Sequence, residues 1–69
     1  MKIDFTKQEL EYLIENCNFN EENGELDVLL LRNKGKSIIS MSMELNLSEK
    51  TIKRRISSIK NKVRKVIER

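Results

Sequence analysis

The chain has 69 residues, with no His, Trp or Pro, a single Cys, and 14 Lys and Arg against 11 Asp and Glu, for a formal net charge of +3. That length supports one small domain, residues 1–69, and leaves little room for an enzyme pocket. The lone Cys and absent His exclude an internal disulfide framework and a Cys/His zinc site, and no run of about eighteen apolar residues is present, so the expectation is a reduced, cytoplasmic protein without a membrane span.

In chain order, helical periods dominate and no strand pattern competes, so the expected fold class is all-α with four helices. Thr6 followed by Glu9 has the form of a capping box, and Leu10, Leu13, Ile14 and Cys17 then recur at spacings of three and four. This predicts a first helix over about 6–18. Cys17 reads as a small core residue, because no basic neighbour a turn away favours its thiolate. The Asn- and Gly-bearing stretch NFNEENGE breaks the rhythm. Leu26, Leu29 and Leu30, widened by Val28 and Leu31, then predict a second helix over about 22–34 that stops at Gly35. Apolar over much of its girth, it is expected to be the central, most buried element.

Ser37 can cap a short third helix over about 37–45, with Ile38, Met41 and Leu45 as its apolar stripe. Asn46 stands where a sharp turn needs a left-handed residue, Leu47 turns inward, and Ser42 is small enough for a close crossing. Ser48 caps a long last helix over about 48–67. Short helix, tight turn and longer helix make a helix-turn-helix.

Charge is sorted along the same order. Residues 1–31 hold two basic and eight acidic side chains, residues 32–47 hold three and one, and residues 48–69 hold nine and two. Clustered Lys and Arg favour phosphate contact by releasing condensed counterions, so the basic end fits a polyanion; the plain alternative is a solvated helix. At about 100° per residue, Ile52, Ile56, Ile59, Val63, Val66 and Ile67 form the core stripe of the last helix. Opposite lie Lys50, Arg54, Ser57, Asn61 and Lys65, with Lys53 and Arg64 on one shoulder, Thr51 and Ser58 on the other, and no acid before Glu68. A helix in the major groove presents its first turns to base edges, which makes Lys50, Arg54 and Ser57 candidate base readers and Ser48, Thr51 and Lys53 candidate phosphate holders.

The run GKSIISMSMELNLSEKTIKRRISSIKNKV resembles the helix-turn-helix of LuxR/GerE-type regulators and of region four of bacterial sigma factors, including small sigma-like proteins of phages and mobile elements. The likeness covers roughly residues 25–65. It is carried by the approach ELDVLLL, the GKS start, the ELNLS turn and the step Thr51, Ile52, Lys53. Met41, Ser42 and Arg55 depart from the families' usual residues, and the additional helix precedes the motif where LuxR/GerE domains place one after it. The resemblance implies sequence-specific binding of double-stranded DNA, and it adds Lys36 and Ser37, before the motif's first helix, as backbone contacts.

Val63, Val66 and Ile67 extend past what a three-helix core needs. Either the first helix folds back over them, setting its acids near the basic helix, or a second copy of the chain covers them, a homodimer being slightly favoured. The leading functional class is a DNA-binding transcription regulator. The alternative is an interaction module, a sigma-like fragment contacting RNA polymerase or another regulator without DNA binding of its own. Membrane attachment is disfavoured because the apolar stripe lacks Trp and Phe. No catalytic role, cofactor or metal is expected: Ser, Asp and Glu have no His partner, and no phosphate-cradling Gly loop occurs.

Overall fold

The computed structural model describes residues 3–67, among which four helices and no strand occur. Helix α1 spans Lys7–Asn16, α2 Glu25–Asn33, α3 Ile38–Leu45 and α4 Glu49–Ile67. The ends of these helices follow local chemistry. Thr6 accepts from the Glu9 N–H at 3.2 Å and its own N–H donates to Glu9 Oε1 at 2.9 Å, completing the capping box. The Thr6 backbone N–H, with its hydroxyl, holds the Glu9 carboxyl below the ordinary range. Ser37 accepts from the Ser40 N–H at 3.1 Å and so starts α3.

Both outer boundaries of α2 fall inside the expected 22–34. Gly24 takes the left-handed conformation at φ 76°, so regular helix begins only after it. At the other end Gly35, at φ 89°, donates to the Arg32 carbonyl at 2.9 Å while Lys36 N–H reaches the Leu31 carbonyl at 3.2 Å. This paired closure ends the helix at Asn33 and aims the chain into α3. Helix α1 likewise stops at Asn16, because Cys17 is already extended.

The hub is α4, not α2: α4 packs against all three other helices. Ile52, Ile56, Ile59 and Val63 are buried along one stripe, facing Val28 and Leu29 of α2, Met41 of α3 and Leu13 of α1 in one core with Ile3 and Cys17. The wide leucine girth of α2 is only partly used, since Leu26 and Leu31 remain half-buried at the core's edge. Of the two ways to cover the end of α4, the fold-back is present: α1 packs on α4, burying Leu13 and Val63, with Val66 half-buried, although Ile67 stays exposed. Asn33 ties the amino-terminal segment down, accepting from Phe5 N–H at 2.7 Å and donating to its carbonyl at 3.1 Å.

The turn between α3 and α4 rests on Asn46, at φ 57° and ψ 40° the only non-glycine with positive φ among the described residues. Its N–H and that of Leu47 both donate to the Ser42 carbonyl, and the Ser42 hydroxyl donates to the Leu47 carbonyl. Ser42 therefore latches the turn in addition to being small. Asn46→Gly is expected to leave stability unchanged or slightly raised, while Asn46→Val should cost about 1 to 2 kcal/mol through the clash of a β-branched side chain in the left-handed region. Thermal melts of the two variants check this, and equal midpoints would refute it.

Candidate nucleic-acid interface

Helix α4 runs for 19 residues and carries eight Lys and Arg against Glu49 alone. Packing divides the helix into three sides and shares that charge between two of them. The buried isoleucines form one. A second side is clamped to the acidic front of the chain: Arg55 Nε donates to the Asn23 carbonyl at 3.0 Å, Ser58 Oγ to Glu25 Oε2 at 3.1 Å, and Lys62 Nζ to Glu25 Oε1 at 2.6 Å and to the Asn18 carbonyl at 2.9 Å. Glu25 is a buried carboxylate, and Asn20 N–H completes its set of donors at 3.2 Å. Burial alone would raise its pKa. The hydrogen bonds from Lys62, Asn20 and Ser58, with the charge of Lys62, outweigh that and hold the carboxyl below the ordinary range.

The third side faces solvent. Lys50, Lys53, Arg54, Ser57, Asn61 and Lys65 are exposed there, and no Asp or Glu interrupts the sequence between residues 50 and 65. Glu68, the next acid, lies outside the described residues. Arg54 and Ser57 are one turn apart on the outermost line, with Lys50 one turn before Arg54, so the three expected base readers share a face at the start of the helix. Lys53 stands beside them.

At the helix start, Ser48 Oγ accepts from the Thr51 N–H at 3.2 Å and shares a hydrogen bond with Thr51 Oγ1 at 2.9 Å. Two hydroxyls carry two protons, and their mutual bond uses one. The other remains for an incoming acceptor such as a phosphate oxygen. Ser48 is exposed and Thr51 half-buried. Lys36 and Ser37 sit at the start of α3, apart from the α4 face in sequence. Ser37 is exposed beyond its capping bond, whereas Lys36 Nζ lies 3.7 Å from Glu44, with both side chains more than a third exposed. Such a pair is weak and its cation can change partner.

Sequence spacing did not single out the clamp of Asn18, Asn20, Asn23 and Glu25 on Arg55, Ser58 and Lys62. Its one visible trace is that Arg55, Ser58 and Lys62 fall three and four residues apart, on one line of α4. Cys17 is buried, its Sγ 3.7 Å from the Lys62 carbonyl, and burial pushes the thiol pKa up despite the nearby Lys62 charge. Among the described residues no helix is long and apolar enough to cross a membrane, and no group of three or more His, Cys, Asp and Glu is placed to hold a metal ion. Compared with known proteins, the chain matches no family model, no curated protein and no solved structure.

Proposed function

We propose that this chain is a sequence-specific double-stranded DNA-binding transcription regulator, acting in the cytoplasm as a homodimer, with residues 48–65 lying in the major groove. The observation that carries the reading is the acid-free outer side of α4, which begins directly after the latched turn at Asn46. A helix of this width fits the groove, and the first turns supply what base edges recognise: Arg54 for guanine, Lys50 and Ser57 for acceptor-bearing edges. Lys53, Ser48 and Thr51 hold phosphates on one strand, and Lys36 and Ser37 reach the backbone from the start of α3. The clamp on Arg55 and Lys62 serves this arrangement by fixing α4 against the acidic half while directing the remaining cations outward. No catalytic role, cofactor or metal enters the reading. It keeps the likeness to LuxR/GerE and sigma region-four domains as a proposal resting on the GKS, ELNLS and Thr51–Lys53 residues.

Selection of bound sites from random duplex DNA, followed by titration with salt, tests it. The expected result is an enriched sequence whose log affinity falls linearly with log salt concentration. Absence of duplex binding even at low salt would refute it.

One observation favours the second reading, an interaction module docking on RNA polymerase or another regulator. Ile39 and Met43 are 61% and 79% exposed, and their spacing of four places them together on the outside of α3. In that reading the wild type binds no duplex but retains RNA polymerase in a pull-down, and Ser at both positions abolishes that retention; duplex binding by the wild type would overturn it.

A further inference from the structure

Where α1 meets the carboxyl end of α4, Phe5, Gln8, Glu9, Tyr12, Leu13 and Ile67 line an open groove of about 290 Å³. Leu13 is buried there, while Tyr12 and Ile67 are 56% and 58% exposed. The charges beside these two residues have opposite signs. Glu9 and Glu15, both exposed, lie one turn to either side of Tyr12 on α1; Arg64 and Lys60 lie one and two turns before Ile67 on α4.

We infer that this groove is the contact surface of a twofold homodimer, in which Tyr12, Glu9 and Glu15 of one chain meet Ile67, Arg64 and Lys60 of the other. The inference deepens the regulator reading and rests on it for its consequence at the operator. A twofold contact uses one patch against itself, so the patch must hold both halves of every complementary pair. This one does: a groove beside exposed apolar side chains that can fill its copy, and an acidic rim beside a basic one. A rim of a single sign would repel its own copy; here α1 attracts the end of the second α4. An exposed aromatic and an aliphatic side chain at the centre with a charged rim is also the usual layout of a protein contact.

The position of the groove agrees with the reading face. Ile67 lies near the core edge of α4, at the opposite end from Arg54 and about 20 Å from it along the axis at about 1.5 Å per residue. DNA and a second chain can therefore bind together. A twofold axis passing near Ile67 sets the two Arg54 side chains up to about 40 Å apart, which accommodates the roughly 34 to 36 Å between half-sites one helical turn apart. The operator is then an inverted repeat with that spacing.

Sedimentation velocity across a range of chain concentrations tests the surface without DNA, using wild type, Ile67→Glu, Glu15→Lys, and the exchange Glu15→Lys with Lys60→Glu. The wild type should show a reversible monomer–dimer equilibrium, Ile67→Glu should raise the dissociation constant at least about tenfold, and the exchange should recover what Glu15→Lys alone loses. Circular dichroism confirms that each variant keeps its helices. A wild type that stays monomeric at every concentration, or a dimer unaffected by Ile67→Glu, overturns the inference. A monomer that still selects a duplex sequence overturns the dimer alone, leaving DNA binding in place, whereas a dimer sensitive to Ile67→Glu that binds no duplex supports the surface and overturns the regulator reading.

Discussion

Glu25→Ala is expected to cost about 2 to 3 kcal/mol of folding stability at neutral pH, out of a total of roughly 5 to 10 for a domain of this size. The carboxylate is buried and receives Lys62 Nζ, Ser58 Oγ and the Asn20 N–H, so its removal leaves three donors short of an acceptor. Lys62, a third exposed, can turn to water, which keeps the loss below that of a fully buried pair. Asp27→Ala, an exposed carboxylate on the first turn of the same helix, should cost less than about 1 kcal/mol. Urea titration of the two variants measures the difference.

The same carboxyl gives the acid limb of stability a definite sign. The folded pKa lies below the ordinary value of 4.5, so as pH falls the unfolded chain takes up this proton first. Unfolding is then favoured by proton uptake, and stability declines from about pH 4.5 downward until the folded carboxyl is protonated too. Glu25→Gln cannot titrate. Its stability should therefore change less than that of wild type over this window, and a wild-type and Glu25→Gln pair with parallel acid limbs would contradict the clamp.

What the sequence made legible was local, and what it hid depended on distance along the chain. The Thr6–Glu9 box, the Ser37 and Ser48 caps and the left-handed Asn46 each involve residues within a turn of one another, so spacing alone exposes them. The α4 stripe was equally readable from its period through Val63, whereas Ile67, counted in the same stripe, lies beyond the reach of α1 and is exposed. By contrast, Glu25 and Lys62 are 37 positions apart and meet only because the loop before α2 lies along α4. No periodicity records that. The reading of α2 as the central, most buried element held for burial, since Asp27 is its one exposed residue, but not for position: α4 alone has the length to touch three partners, which leaves Leu26 and Leu31 of α2 at the rim. Exposure of Lys50, Lys53, Arg54, Ser57, Asn61 and Lys65 followed the helical wheel, whereas Thr51 and Ser58, read as the other shoulder of that face, are half-buried, Ser58 through its bond to Glu25. The pairing of Lys36 with Glu44 did not follow the wheel either, because it joins the segment before α3 to that helix's far end.

Arg54→Ala and Lys53→Ala should fail in different ways on DNA, although they are adjacent, exposed and of equal charge. Arg54 lies on the outermost line of α4 with Lys50 and Ser57, aimed at base edges when the helix occupies the groove. Its planar guanidinium can donate two parallel hydrogen bonds to a guanine, an interaction worth about 1 to 3 kcal/mol against a wrong base. Loss of that group should relax preference at one position of the selected site and weaken the specific complex more than the non-specific one. Lys53 stands on the shoulder, where a strand would pass if α4 occupies the groove, and contributes a point charge. Lys53→Ala should weaken selected and scrambled duplexes alike and flatten the slope of log affinity against log salt by about one unit. Fluorescence anisotropy on both duplexes at several salt concentrations separates the two outcomes. If both substitutions shift the two duplexes equally, α4 holds the backbone only; if neither shifts them, the DNA lies elsewhere on the protein.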